Sequence, residues 1–451
     1  MKIIVVGAGK AGIQITGSLV AEGHDVCVVD NIEEKIDHIS NLYDIMCVLG
    51  SGTDIQVQKD AGCETADVFI AVTKSDETNL LCCMCAHRLG AKYTIARIRD
   101  PINFQQVEFF RSSMGISSCI NQDYECARQI SRILKFPQSA SVDRFSRSRV
   151  ELVEYVVPDG SGFVGKKLID LKQNLKIDVL IAAAERDGGV AIPRGDFEIK
   201  AGDRLSIIGE TYEIGRLFSE TGTDANPIHK LIIIGGSRIC IYLAKLVERM
   251  GIDITIIEKD MARCEKLCSE LPKVKIVCAD GSHSMILQEE GLKESDAFIA
   301  LTSNDGTNIS ISLYAKSKGL ETVITKITGD QIEGLTGQLG LQSILTPHKF
   351  VSDQVIRYVR ALAGSVGSNF ETMYRIANGK AEALEFIATE NSKCLGVQLK
   401  DLRMKPSVII GAITRKGSPI PATGDTTIEK GDHVIIVTTL QRCKDLDEIL
   451  E

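Results

Sequence analysis

Apolar runs in this sequence, such as Leu80 to Ala86 and Val179 to Ala184, stop far short of the ~18 to 20 residues needed to cross a bilayer, so no membrane span is expected. No export signal is expected either. Met1-Lys2-Ile3-Ile4-Val5-Val6 meets a glycine too soon to be the apolar core of a secretion peptide and reads as a strand, which predicts a place in the cytoplasm. Positive charge is in deficit: 52 Lys and Arg face 60 Asp and Glu, a net charge of -8. That removes the basic surface on which nucleic-acid binding depends, and nucleic acid is not an expected partner. Zinc-site spacing is also lacking. Cys82, Cys85 and His87 invite a metal reading, but no second pair of ligands follows, and the cysteines sit in apolar stretches such as Leu81-Cys82-Cys83-Met84-Cys85. Most of the 14 cysteines are expected to be small buried hydrophobes. The seven histidines (24, 38, 87, 229, 283, 348, 433) share no repeated or motif-like setting, so the placed acid or base of a dehydrogenase is not evident. No enzyme is expected.

What is present is a globular composition, with 44% hydrophobic and 25% charged residues, in a chain of 451 residues that is long enough for two to four domains. The chain repeats itself. Lys2-Ile3-Ile4-Val5-Val6-Gly7-Ala8-Gly9 is answered by Lys230-Leu231-Ile232-Ile233-Ile234-Gly235-Gly236-Ser237, which sets Gly235 where Gly7 stands. Val28-Val29-Asp30 pairs with Ile256-Ile257-Glu258 at the same offset, and Ala66 to Thr73 pairs with Ser295 to Thr302 after a drift of a single position. The match runs on through Gly165 to Leu171 against Gly396 to Leu402, and Ala201 to Leu205 against Lys430 to Val434. Chance similarity would not hold one offset over so many blocks.

Periodicity gives the coarse structure. Short β-branched runs near 2–6, 25–30, 44–49, 68–72, 93–97 and 116–120 alternate with helical patterns such as Ala11 to Glu22 and Glu77 to Leu89. Strands joined by helical crossovers predict a parallel, doubly wound α/β sheet. Pro137 to Arg149 is polar and reads as a linker, a smaller lobe with more strand character follows, and Thr221 to Pro227 breaks the chain before the second copy. The expected fold is therefore α/β: two Rossmann-like sheets, each followed by a small α+β lobe. The expected domains are 1–136, 150–220, 228–362 and 370–451.

Gly7-x-Gly9-x-x-Gly12 directly follows a strand and opens a helix, the context in which this pattern marks a dinucleotide site. Gly7 allows the tight turn, Gly9 lets backbone approach a pyrophosphate, and Gly12 lets the helix pack on the sheet. The helix N-terminus offers free N–H groups to phosphate. Asp30, at the end of the second apolar run, can accept from both ribose hydroxyls and would repel a 2'-phosphate, which favours NAD(H) or an adenine nucleotide over NADP(H). At other strand ends, Ser51 and Gly52 can pass under the adenine, Thr73 and Lys74 close the fourth strand, and Arg97 reads either as a phosphate clamp or as a solvated surface arginine. In the second copy Gly235 keeps the turn, but Ser237 and Cys240 replace the second and third glycines; Glu258 retains the acid, Ala279 and Asp280 occupy the third-strand loop, and Lys326 stands for Arg97. A second nucleotide site of altered affinity and a degenerate structural partner both stay open.

Gly7-Ala8-Gly9-Lys10-Ala11-Gly12, Asp30, the run Ala71 to Asn79 and Ala96-Arg97-Ile98-Arg99 together closely resemble the TrkA family of Trk potassium-uptake regulators, over essentially the whole chain. Each half resembles an RCK unit, a regulator of K+ conductance with a Rossmann N-lobe and a C-lobe. The resemblance implies a ring of four chains beneath a membrane potassium transporter of the TrkH/TrkG type, its pore governed by NAD, NADH, ATP or ADP. It carries nucleotide contacts over to Gly7, Ala8, Gly9, Lys10, Ala11, Asp30, Ser51, Gly52, Thr73, Lys74 and Arg97. In the second half they fall on Gly235, Gly236, Ser237, Arg238, Ile239, Glu258, Ala279 and Asp280. An NAD-dependent oxidoreductase and the cytosolic ring of a potassium channel or antiporter are the competing functions.

Overall fold

The computed structural model describes residues 1–145, 150–175, 177–223, 226–329, 339–341, 343–364, 369–440, 443 and 445–451. Residues 146–149 of the expected linker, Asp224 and Ala225 of the expected break, and 330–338 of the second Rossmann-like unit lie outside them.

Strands β1 (Lys2–Val6), β2 (Asp25–Asp30), β3 (Met46–Leu49), β4 (Val68–Ala71), β5 (Tyr93–Arg97) and β6 (Ser118–Ile120) form a parallel sheet in the order β3-β2-β1-β4-β5-β6. The order reverses beside β1, so a crevice opens at the carboxyl ends of β1 and β4, the place where such sheets bind ligands. These strands read as continuous apolar runs because helices cover both faces. Ile3, Ile4 and Val5 are fully buried. Burying a Val, Leu or Ile side chain contributes about 1.5–3 kcal/mol.

The lobe that follows is an antiparallel sheet of β7 (Ser141–Arg144), β8 (Val150–Val156), β9 (Val179–Arg186), β10 (Gly189–Ala191) and β11 (Arg204–Glu210), ordered β10-β9-β11-β8-β7. The linker reading of Pro137 to Arg149 needs correction here. Ser141 to Arg144 pair with Glu154 to Glu151 as an edge strand, whose polar sequence reflects its place beside a charged cavity.

The second half repeats both sheets. Strands β12 (Lys230–Ile234), β13 (Asp253–Glu258), β14 (Lys275–Cys278), β15 (Ala297–Ala300), β16 (Thr322–Lys326) and β17 (Ser343–Leu345) take the order β14-β13-β12-β15-β16-β17. Its lobe, β18 (Phe370–Ile376), β19 (Ala381–Ile387), β20 (Val408–Arg415), β21 (Ser418–Ile420) and β22 (His433–Thr438), has the order β18-β19-β22-β20-β21, the same topology as the first lobe.

The halves are interlocked. After β6 the helix Gln122–Ile133 leaves its own sheet and packs Cys126, Ile130 and Ile133 against Ile239, Leu243 and Val247 of the second half. The equivalent helix Pro347–Gly364 returns the exchange, setting Val351, Val355 and Val359 against Ile15 and Leu19 of the first. The two lobes meet sheet to sheet, with Leu152, Ala182 and Ile208 in one cluster with Ala383, Ile435 and Val437.

Candidate functional site

The turn after β1 is built as its glycines require. Gly7 sits at φ +107°, and a Cβ there would lie 3.1 Å from the Thr73 amide and Val72 carbonyl. Gly12 packs the following helix onto the turn so closely that a Cβ would fall 1.8 Å from the Gly7 oxygen. A Cβ on Gly9, in contrast, would meet nothing within 4 Å. Helix Lys10–Ala21 starts at that point with no side-chain cap and no acid in its first turn. Four other helices of this unit are capped, by Asp54, Ser75, Asp100 and Asn121, and the two that are not, Glu33–Leu42 and Val107–Met114, carry acids in their first turn. Open space over bare first-turn amides is what an anion at a helix N-terminus needs.

Asp30 closes the other side at the end of β2. Its carboxylate accepts from the Ala8 amide at 2.7 Å and the Ile32 amide at 3.0 Å, with the Lys35 ammonium 3.3 Å away. The ammonium faces both carboxylate oxygens, at 3.3 and 3.5 Å, so ribose hydroxyls would bind there by taking the place of these long contacts. The cleft encloses about 530 Å³. Gly7, Gly9, Lys10, Ala11, Asp30, Ser51, Gly52, Thr73, Lys74 and Arg97 all line it, whereas Ala8 and Gly12 lie behind the wall. Gly52 is pressed against Val6 and Cys82, where a Cβ would come 2.2 Å from the Val6 side chain.

Arg97 is buried rather than a solvated surface arginine, with 7% of its surface exposed. It donates to the Thr73 carbonyl, and its Nε is buried with no partner. Burial and then the neighbouring Arg99 pull its guanidinium down to about 10, which leaves it charged at neutral pH. Arg99 donates to the Lys74 carbonyl, and its Nε likewise has no partner. Asn79 fixes this corner. Its Oδ1 accepts from the Thr73 amide and hydroxyl, both at 2.7 Å, and its amide nitrogen donates to the Arg97 carbonyl at 2.8 Å. Asn308 repeats the arrangement with Thr302 and Lys326.

Sequence reasoning missed part of the wall. Thr328, Pro347 and His348 line the first cleft from the second half of the chain, and Lys10 Nζ reaches across to the Thr328 hydroxyl at 3.2 Å. Residues so distant along the chain carry no local signal.

The second cleft is smaller, about 340 Å³, and is lined by Gly235, Gly236, Ser237, Glu258 and Asp280 but not by Arg238, Ile239 or Ala279. Arg238 instead pairs with Asp123 of the first half at 3.0 Å. Glu258 accepts from the Gly236 amide at 2.6 Å, as Asp30 does from Ala8. Where Gly12 allows close packing, the Cys240 thiol donates to the Gly235 carbonyl at 3.1 Å. Arg263 in turn donates to the Gly236 carbonyl. Burial lowers the pKa of Lys326, the counterpart of Arg97. Cys82 packs under Gly52, and His87 covers Gly115.

Residues 3–122 and 231–347 match the TrkA-N domain, and 152–222 and 383–451 the TrkA-C domain. The Trk system potassium uptake protein TrkA homolog of Archaeoglobus fulgidus is 32% identical over 450 residues, covering 100% of both chains. The Trk system potassium uptake protein TrkA of Vibrio alginolyticus is 30% identical over 97% of this chain and 95% of its own. Among solved structures, the GsuK channel bound to NAD shares the fold at TM-score 0.63 and 16% identity, over 99% of this chain and 78% of that one. Two α/β Rossmann-like sheets, two antiparallel lobes and these matches along its whole length establish that the chain belongs to the TrkA family.

Proposed function

We propose that this chain is the cytoplasmic regulatory subunit of a potassium-uptake transporter, set by NAD, NADH, ADP or ATP in the first cleft. One observation carries the reading: an uncapped helix start under open space, with a carboxylate at the neighbouring strand end, in a cleft walled by both halves. The residues fit an adenine nucleotide. Amides of the turn from Gly9 hold phosphate, Asp30 holds ribose hydroxyls, Ser51 and Gly52 lie along the base, and Arg97, Arg99 and Lys74 supply positive charge. The ligand contributes negative charge and buried surface rather than a reacting bond. The second cleft, closed in by Cys240 and Arg263, is the weaker of the two.

A ligand shifts a conformational equilibrium only through different affinities for the two states. Contacts to Thr328 and His348 as well as to the glycine turn supply that difference wherever the two states differ in how the second half meets the turn. A coupling of about 1–3 kcal/mol corresponds to a 5–150-fold effect. The names of the relatives, Trk system potassium uptake proteins, support a membrane potassium transporter as partner; a pore of the TrkH/TrkG type and a ring of four chains on its cytoplasmic side are the further parts of the proposal.

Reconstitution with the cognate transporter tests the proposal. Potassium flux responds to at least one of NADH, NAD, ADP and ATP with the native chain, and the response disappears in Asp30→Ala. Flux indifferent to all four nucleotides overturns it.

A further inference from the structure

Two cysteines stand beside Glu258 and Lys259 of the second cleft, and nothing in the nucleotide reading uses them. Cys264 lies in the helix Met261–Glu270, and Cys278 ends β14 as the strand partner of Glu258. Both thiols converge on the Glu258–Lys259 segment that ends β13. They also address consecutive carbonyls, Cys264 donating to Glu258 at 3.2 Å and Cys278 reaching Lys259 at 4.0 Å. Cys264 is buried and Cys278 exposed. At the matching positions the first half has Ile36 in the helix and Leu49 as the strand partner of Asp30, so the pair belongs to the second half alone.

We propose that Cys264 and Cys278 are a dithiol site that a peroxide converts reversibly to a disulfide. Accessibility assigns the order of events. The exposed Cys278 thiolate attacks the peroxide, forming an S–O bond as the O–O bond breaks; a proton converts the departing hydroxide to water and leaves a sulfenic acid. Cys264 then attacks that sulfur. The S–S bond forms, the S–O bond breaks, and the hydroxide leaves as water with the proton from Cys264. Two thiols and one hydrogen peroxide become one disulfide and two waters. Burial pushes the Cys264 thiol upward. The bond ties the turn bearing Arg263 to the edge strand beside Glu258.

Cys268 is the competitor, exposed and one helical turn beyond Cys264. Trypsin separates the candidates, because cleavage after Arg263, Lys266 and Lys275 puts Cys264, Cys268 and Cys278 on three peptides. The full chain is treated with hydrogen peroxide, its remaining thiols are blocked with N-ethylmaleimide, and the digest is analysed by mass spectrometry. The proposal expects the Cys264 and Cys278 peptides joined, lighter by two hydrogens and released by dithiothreitol. The link is retained in Cys268→Ser and lost in both Cys264→Ser and Cys278→Ser. It is overturned if Cys264 and Cys278 remain alkylated, if Cys268 is the residue joined to Cys278, or if Cys278 ends as a sulfinic acid with Cys264 free. None of these outcomes depends on nucleotide binding.

Discussion

Arg360 grips Glu22 with two hydrogen bonds, Nη2 to Oε1 at 2.5 Å and Nε to Oε2 at 3.0 Å. The same guanidinium donates to Glu382 of β19 at 3.0 and 3.1 Å. Glu22 lies just beyond the helix that begins at the phosphate turn, and Arg360 is on the helix that crosses from the second half. A rigid helix thus connects the first cleft to the second lobe.

The three side chains are each only 9–10% exposed, so removing the cation takes the partner from Glu382 and leaves Glu22 only the longer contact to Arg375 at 3.9 Å. Breaking a buried ion pair costs about 3–5 kcal/mol. Arg360→Ala is expected to lose stability in that range by urea unfolding, and Glu22→Gln less, because it leaves a neutral acceptor. A loss for Arg360→Ala below about 1 kcal/mol, the ceiling for an exposed pair, would show that the network does not hold the lobe.

Gly12→Cys copies the second cleft into the first. Because Cys240 is accommodated at the matching position, the fold should persist by circular dichroism. The helix start must nevertheless lift from Gly7, and nucleotide affinity should fall about 100-fold, or about 2.7 kcal/mol. Retained affinity would separate the close packing from binding.

Asn79→Ala leaves the Thr73 amide and Arg97 carbonyl without their partner, at about 1–3 kcal/mol for each buried group left unpaired. Asn308→Ala removes the same contacts in the second half, so the two losses should agree within about 1 kcal/mol by urea unfolding. A large inequality would show that the halves are not equivalent frameworks.

Asp143 lines a charged cleft of about 470 Å³ between the crossing helices and the lobes. Burial pushes its carboxyl up from 3.8 to about 6, against the pull of Arg132 and Arg357. A carboxyl whose folded pKa exceeds its unfolded one favours folding when protonated, so this contribution is lost as pH rises from about 4 through 6. With 26% of the side chain open to the cavity, the cost at pH 7 is discounted to about 1–2 kcal/mol. Asp143→Asn should gain that much at pH 7 relative to the native chain, and the gain should vanish below about pH 4. A gain that does not change with pH would assign the effect to packing.

Much of this was legible because its signals are local. The strand after Met1, the turn glycines and Asp30 carry their own periodicity and spacing, and the near-constant offset that relates Gly7 to Gly235 brought the second half with them. The edge strand Ser141–Arg144 was not legible, since its polar residues face the cavity that holds Asp143 rather than an apolar core. Its counterpart Phe370–Ile376 is more apolar and stands at the offset that relates Ala66 to Ser295, so extending the repeat would have found it. His348 in the first cleft and the Arg238–Asp123 pair arise from helices exchanged between halves, an arrangement that periodicity within either half does not encode.

Calorimetric titration of the full chain with NADH, NAD, ADP and ATP addresses the central claim most directly. At least one nucleotide should bind, with affinity reduced about tenfold or more in Asp30→Ala, the equivalent of about 1.4 kcal/mol, and little changed in Glu258→Ala. Absence of binding by all four, or equal affinity in the native chain and Asp30→Ala, would contradict the assignment of the first cleft.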